Sequence, residues 1–213
     1  MYFEYIAERI FETLGGNVKF IFMLRNPMHR AYSHYLMNVN DGIENMSFET
    51  ALKLEKDRIS TNLYSKRYYS YQDRGYYGRQ IAVFLKYFKR ENMYFVVFEN
   101  FIENKKEISM ELFNFLNIDI FLDINFNIHQ NKGQSLKYQG LNLFLRKNNI
   151  ALKVVKKILP IKTKDNIKII LKKRTQIKNE INPKTKTKLQ NNYYNDIMLT
   201  QELTGLDLSK WLV

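Results

Sequence analysis

Cysteine is absent from the 213 residues. That excludes disulfides, thiolate metal sites and a cysteine nucleophile. It fits a reducing compartment, and the expected location is cytoplasmic. No apolar run reaches the roughly 20 residues a bilayer-crossing helix needs, so no transmembrane segment is expected. Met1-Tyr2-Phe3-Glu4 does not read as a signal peptide, because no basic leader precedes an apolar stretch. Histidine is scarce, with three in the chain. His29, His34 and His129 lack recognisable partners, and none reads as a general base. No spacing of ligand residues suggests a metal centre. Proline occurs three times, at Pro27, Pro160 and Pro183, where it punctuates helical patterns.

What is present points to a packed interior. Hydrophobic residues make up 45% and aromatics 15%, with 15 Tyr and 15 Phe. A ring-rich core is expected, in a single domain spanning 1–213. The net charge is +13, and its placement is uneven. Residues 146–188 hold 15 Lys and Arg against two acids, Asp165 and Glu180, leaving 19 of each sign elsewhere. Such a segment attracts nucleic acid, acidic glycan, anionic membrane or anionic nucleotide, or it is a solvated helical face. If it binds polyanions, the affinity falls steeply with salt.

The hydrophobic pattern alternates. Residues 3–14 read as an amphipathic helix facing inward through Ile6, Ile10 and Leu14, ended by Gly15-Gly16. Residues 18–24 form a short apolar run, read as a buried strand. Asn26 then suits a helix cap and Pro27 a first helical position. Ser47 caps a helix through Leu54, and 57–74 read as a long polar loop rich in Tyr and Arg. A helix fits 76–89, a buried strand 93–98 and a helix 107–116. From 138 onward only helical patterns appear, at 138–147, 150–158, 164–175 and 183–203. Strands alternating with helices imply an α/β fold with a parallel sheet and a helical C-terminal third.

The residues with chemistry cluster after the first strand, in Phe20-Ile-Phe-Met-Leu-Arg-Asn-Pro-Met-His-Arg-Ala-Tyr-Ser-His-Tyr35. The strand carries Arg25 to its C-terminal edge, the ligand side of a parallel sheet. A helix opens there, whose N–H groups and dipole favour an anion. Ser33, eight positions on, can return along that helix toward the same anion. Arginine's planar fork matches phosphate oxygens. The residues therefore suit a phosphate site, or else an Arg–carboxylate pair beside an ordinary cap.

Arg-Asn-Pro-x-x-Arg-Ala-Tyr-Ser-x-Tyr after an apolar strand resembles the 3′-phosphate motif of sulfotransferases. These take sulfate from 3′-phosphoadenosine-5′-phosphosulfate (PAPS), and the resemblance is closest to the glycan-modifying branch and its bacterial relatives. It implies that Arg25 and Ser33 hold the 3′-phosphate, with Arg30 supporting. Arg74-Gly75-Tyr76-Tyr77-Gly78-Arg79-Gln80 resembles the family's Gly-x-Tyr helix opening, which puts Tyr77 near the nucleotide or in the core. The 93–101 stretch resembles the family strand ending in an acid, with Glu99 structural. Asn131-Lys132-Gly133-Gln134-Ser135 resembles the loop that closes over the nucleotide, making Lys132 and Gly133 cofactor contacts. The stretch Tyr194-Asn-Asp196-Ile to Trp211-Leu resembles the closing helix and tail of bacterial members. The implied fold is the family's three-layer, P-loop-like α/β fold, with PAPS as donor and no metal.

The family's first strand and its Gly/Lys phosphosulfate loop have no match here. Tyr2-Phe3 resembles the end of a Lys-x-x-x-Tyr-Phe stretch whose catalytic lysine would precede Met1. The expectation is a truncated sulfotransferase, with no catalytic residue identified in the chain and no sulfate transfer by 1–213 alone. Its full-length activity is expected to place a sulfuryl group on a hydroxyl or amine of an acceptor, an acidic saccharide being the class that charge suggests. The alternatives are a non-catalytic remnant that holds 3′-phosphoadenosine nucleotides and a basic polyanion-binding protein. Specific nucleic-acid recognition is not expected, since no basic-aromatic recognition module is present.

Overall fold

The computed structural model describes residues 1–119 and 181–213. These fall into two compact units. One holds 1–31, 72–119 and 183–213, and the other holds 32–71 with 181 and 182. Helices are numbered below in chain order among the described residues. The helices expected at 138–147, 150–158 and 164–175 lie outside those residues.

The first unit is built on two strands. β1 (Phe20–Leu24) and β2 (Met93–Val97) pair in parallel, in register from Phe20 opposite Met93 to Leu24 opposite Val97. Parallel strands need a crossover, and helices cover both faces. On one face Phe20 and Phe22 of β1 meet Phe84 of α5 (Tyr77–Leu85) edge to face, with centroids 5.4 and 5.3 Å apart. Phe88 adds a ring 4.6 Å from Phe20, and Phe95 of β2 stacks on Phe22 at 5.3 Å. Such ring pairs add ~0.5–1.5 kcal/mol each beyond buried area, so this cluster is the unit's main anchor. On the other face α7 (Lys105–Leu116) sets Phe115 against Tyr94, 5.4 Å between centroids. The result is helix, sheet, helix.

β1 is less buried than its apolar sequence predicts. Ile21 and Met23 are 43% and 47% exposed. α7 covers that face over β2, and among the described residues no strand pairs with the far edge of β1. An apolar run cannot distinguish two covered faces from one. Helix α1 (Tyr5–Leu14) also turns differently from the expectation. Ala7 is its buried residue and Phe11 packs against Tyr87 and Phe88, while Leu14 is 66% exposed. Ile6 and Ile10 of the predicted face are half-buried, so the departure lies at the C-terminal end of the helix, where Leu14 points to solvent and Phe11, 42% exposed, touches the ring cluster by its edge. Gly15, at φ 75°, closes the helix as expected.

The last described helix, α8 (Pro183–Thr204), starts at its proline and docks on α5. Two glycines permit the approach. A Cβ at Gly75 would lie 2.6 Å from the Tyr193 hydroxyl, and one at Gly78 would lie 2.9 Å from the Asp196 carbonyl. Asp196 then caps α5 from outside. Its two carboxylate oxygens accept the Gly78 and Arg79 N–H groups at 2.9 and 3.0 Å. Arg90 donates to the Leu203 carbonyl at 3.1 Å and also to that of Thr204, satisfying the far end of α8.

The second unit joins the greater part of α2 (Pro27–Asn40) to α3 (Phe48–Ile59) and α4 (Leu63–Tyr69). Ser47 caps α3 as expected, accepting the Thr50 N–H at 3.2 Å. The region 57–74, expected as a long loop, is instead structured. α3 continues to Ile59, and Asn62 caps α4 by accepting the Ser65 N–H at 2.8 Å. A 3-10 turn follows at Asp73–Gly75, in the first unit. The reason is polar burial. Glu44 is 3% exposed and accepts from Arg58 at 2.7 Å, Tyr71 at 2.9 Å, and the Asn45 and Met46 N–H groups. Asn38 reaches the Tyr71 hydroxyl at 3.0 Å, and the Arg58 guanidinium lies 3.4 Å over the Tyr69 ring. A satisfied network replaces the apolar stripe on which helix periodicity depends.

Candidate functional site

Parallel pairing brings the C-terminal ends of β1 and β2 side by side, and the next residues of each strand converge there. After Leu24, Arg25 turns its guanidinium over the ring of Phe98, 5.1 Å from the centroid. Phe98 opens α6 (Phe98–Glu103) directly after β2. Asn26 donates its N–H to Glu99 Oε1 at 3.0 Å, tying the two strand ends together. Tyr77, the first residue of α5, donates its hydroxyl to the Arg25 carbonyl at 3.0 Å. The backbone carrying Arg25 is thus held on both flanks, from α6 and from α5.

Arg25 makes no ion pair with any described residue. The alternative reading of Arg25, as half of a carboxylate pair, finds no partner among those residues. Glu99 is the nearby acid, but its described bond is to the backbone of Asn26. One Glu99 oxygen, Oε2, is buried without a hydrogen-bond partner among the described residues. Partial burial of its ring holds His29 below the ordinary histidine value, and the Arg25 charge lowers it further by more than Glu99 raises it.

The start of α2 departs from expectation. Free N–H groups were expected to attract an anion, but Asn26 Oδ1 already accepts from Met28 at 3.1 Å and from His29 at 3.4 Å. The Arg30 N–H closes on the Asn26 carbonyl at 2.9 Å. A good cap satisfies the amides it organises. The guanidinium and the helix dipole remain as the attraction for an anion.

Tyr77 is buried, and burial pushes its hydroxyl up to about 12, so it stays protonated and donating at neutral pH. Its ring lies 6.1 Å from that of Trp211. Arg25, Asn26, Tyr77 and Glu99 thus come together in the first unit. Ser33 is half-buried on α2, in the part belonging to the second unit. Lys132 and Gly133 lie outside the described residues. Two contributors had escaped the sequence, Phe98 beneath the guanidinium and Trp211 beside Tyr77. Phe98 directly follows β2, and Trp211 ends a 3-10 turn beyond α8; both lie in stretches that resemble the family, and neither position signals a role at the site. Among the described residues no helix is long and apolar enough to cross a membrane, and no cluster of His, Asp or Glu is suited to a metal.

A parallel strand pair between helices, with an arginine at the strand ends that pairs with no described carboxylate, defines an α/β protein with a cationic edge on the side where such sheets hold ligands. A model of the sulfotransferase domain family matches residues 8–147, and the chain belongs to that family. A solved structure agrees on the fold. The crystal structure of a sulfotransferase from Alicyclobacillus acidocaldarius superposes with a TM-score of 0.67 at 20% identity, over 99% of this chain and 63% of that one. The chain therefore spans less than two thirds of that protein's length. No curated protein matches the sequence. The fold is the P-loop-like α/β fold of sulfotransferases.

Proposed function

We propose that this chain forms part of an enzyme that transfers a sulfuryl group from PAPS to a hydroxyl or amine of a saccharide, and that Arg25 anchors the 3′-phosphate of the donor. The observation that carries this reading is the Arg25 guanidinium, fixed at a strand end and paired with no described carboxylate. Bound PAPS would supply an activated sulfuryl group on a phosphate leaving group. The residues of this chain would hold the other end of that molecule. Arg25 offers a planar fork to phosphate oxygens. Tyr77 and the Asn26–Glu99 bond keep the backbone at Arg25 in place. The resemblance to the family assigns Ser33, Lys132 and Gly133 to donor binding as well.

The test is isothermal titration with 3′,5′-diphosphoadenosine against adenosine 5′-phosphate. The diphosphate should bind more tightly, and Arg25→Ala should remove the difference. A charged hydrogen bond is worth about 1.5–3 kcal/mol, or roughly ten- to a hundred-fold in affinity. Equal affinity for the two nucleotides in the unaltered protein defeats the assignment.

A further inference from the structure

The lysine-rich segment 146–188 ends within the described residues, in the first turns of α8. The buried residues of that helix are Leu189, Tyr193, Ile197, Thr200 and Thr204, spaced by three or four. Lys186 stands three positions before Leu189 and seven before Tyr193, so it continues the same stripe into the first turn. Leu189 is fully packed and Lys186 is exposed. Helical side chains lean toward the N-terminus, so the ammonium reaches past the point where the core stops.

A chain of contacts takes that end of α8 to the strand ends. Gln190, one turn beyond Lys186, donates its side-chain amide to the Leu212 carbonyl. Trp211, the residue before, sets its ring 6.1 Å from that of Tyr77, whose hydroxyl holds the Arg25 carbonyl at 3.0 Å. Lys186 therefore comes to the edge that carries Arg25. Its charge acts on His29, as does that of Arg25, and Glu99 is the acid that acts on the same ring. Lys186 forms no ion pair with any described residue. Its helical neighbours at i+3 and i+4 are Leu189 and Gln190, neither of them an acid.

We propose that Lys186 is a second cationic contact for the 3′-phosphate of the donor, shared with Arg25; this rests on the sulfotransferase reading above. Charge balance asks for one. A phosphate monoester carries about −1.5 to −2 at neutral pH, and a single guanidinium offsets one unit of that, with Glu99 close by. The two side chains take the phosphate in different ways. The guanidinium is a planar fork that fixes the orientation of two oxygens, whereas the ammonium is a point charge with three rotatable donors that accepts the oxygen left over.

The experiment is isothermal titration of the 213-residue chain with 3′,5′-diphosphoadenosine and with adenosine 5′-phosphate. Lys186→Gln should weaken the diphosphate about two- to five-fold, the range of an ion pair made partly in water, and leave adenosine 5′-phosphate unchanged. Lys186→Arg, which keeps the charge, should bind as the unaltered protein does. Lys188→Gln removes the same charge from about 200° around the helix and should have little effect. On the Arg25→Ala background Lys186→Gln should bring no further loss, because groups that share one phosphate do not act additively. The urea midpoint of Lys186→Gln should stay where it is, since the side chain is exposed. Full diphosphate affinity in Lys186→Gln overturns the proposal. An equal loss for both nucleotides overturns it too, as does an equal loss in Lys188→Gln, which marks a diffuse effect of net charge. An unaltered protein with no preference for the diphosphate defeats the donor reading and this contact with it, whereas a preference that survives Lys186→Gln in full defeats the role of Lys186 alone.

Discussion

Asp196→Ala removes a helix cap that the local sequence does not provide. Tyr76, at the N-cap of α5, makes no side-chain capping bond. Asp196 supplies the acceptors instead, at 2.9 and 3.0 Å, from the docked helix α8. Losing a cap costs about 0.5–2 kcal/mol, and two charge-assisted bonds at a helix dipole favour the upper end. Burial opposes them. It raises the Asp196 pKa, and the bonds from Arg79 and Gly78 only partly offset it. The expected cost is ~2 kcal/mol for Asp196→Ala. Asp196→Asn keeps one acceptor, sheds the desolvated charge and should cost about half as much. The single tryptophan, Trp211, is buried within the same unit, so its fluorescence during urea unfolding reads the effect directly. With a slope of roughly 1–3 kcal/mol per molar urea, the Asp196→Ala midpoint should fall by about 1 M. The pH dependence adds a second arm. A carboxyl with a raised folded pKa contributes stability that is full below its unfolded value and is lost as pH rises through the folded one. The unaltered protein should therefore gain on Asp196→Asn as pH falls from 7 toward 4. An Asp196→Ala midpoint equal to the unaltered one, or Asp196→Asn worse than Asp196→Ala, refutes the reasoning.

Three other changes test neighbouring parts of the structure. Arg58→Ala leaves Glu44 buried without its cation and should cost ~3 kcal/mol, the lower end for broken buried pairs because Tyr71 and two amides still donate to it. At roughly 2–4 °C per kcal/mol this appears in a circular-dichroism melt as a loss of about 6–12 °C. Gly75→Ala drives a methyl into the buried Tyr193, 2.6 Å from its hydroxyl, and should cost about 1–3 kcal/mol in the same urea assay. Tyr77→Phe deletes the bond to the Arg25 carbonyl. It should cost ~1 kcal/mol of stability and weaken 3′,5′-diphosphoadenosine by less than Arg25→Ala does; a loss as large as that of Arg25→Ala would make the hydroxyl a direct contact.

The parallel strands were legible because each is a short apolar run bounded by a breaker or a cap. Asn26-Pro27 and Ser47 sit at helix starts for the same chemical reasons wherever they occur. The region 57–74 was not legible. Its helix α4 turns Tyr69 inward onto an arginine, and Glu44, thirteen residues upstream of residue 57, completes the network. Periodicity detects apolar stripes, and a core made of phenols, a carboxylate and a guanidinium has none. The half-covered face of β1 was hidden for the converse reason. Ile21 and Met23 have the composition of buried residues, but α7 covers β2 and leaves them exposed.

The site divides along the same line. Arg25 could be named from the sequence because a charged residue at the end of an apolar strand is conspicuous. Tyr77 could be named but not assigned, since core and ligand roles both fit a tyrosine at a helix start. In the structure it fills the core and its hydroxyl serves the Arg25 carbonyl, so its contribution to an anion site runs through the backbone. Asn26 makes the same point in reverse. Its capping was legible, but capping consumes the Met28 and His29 amides that the sequence argument had assigned to the anion. At the strand ends the attraction therefore rests on one guanidinium, held by three neutral or backbone contacts, together with the helix dipole. Arg25 is accordingly the residue whose removal should abolish the nucleotide preference, and Tyr77 one whose removal should only weaken it.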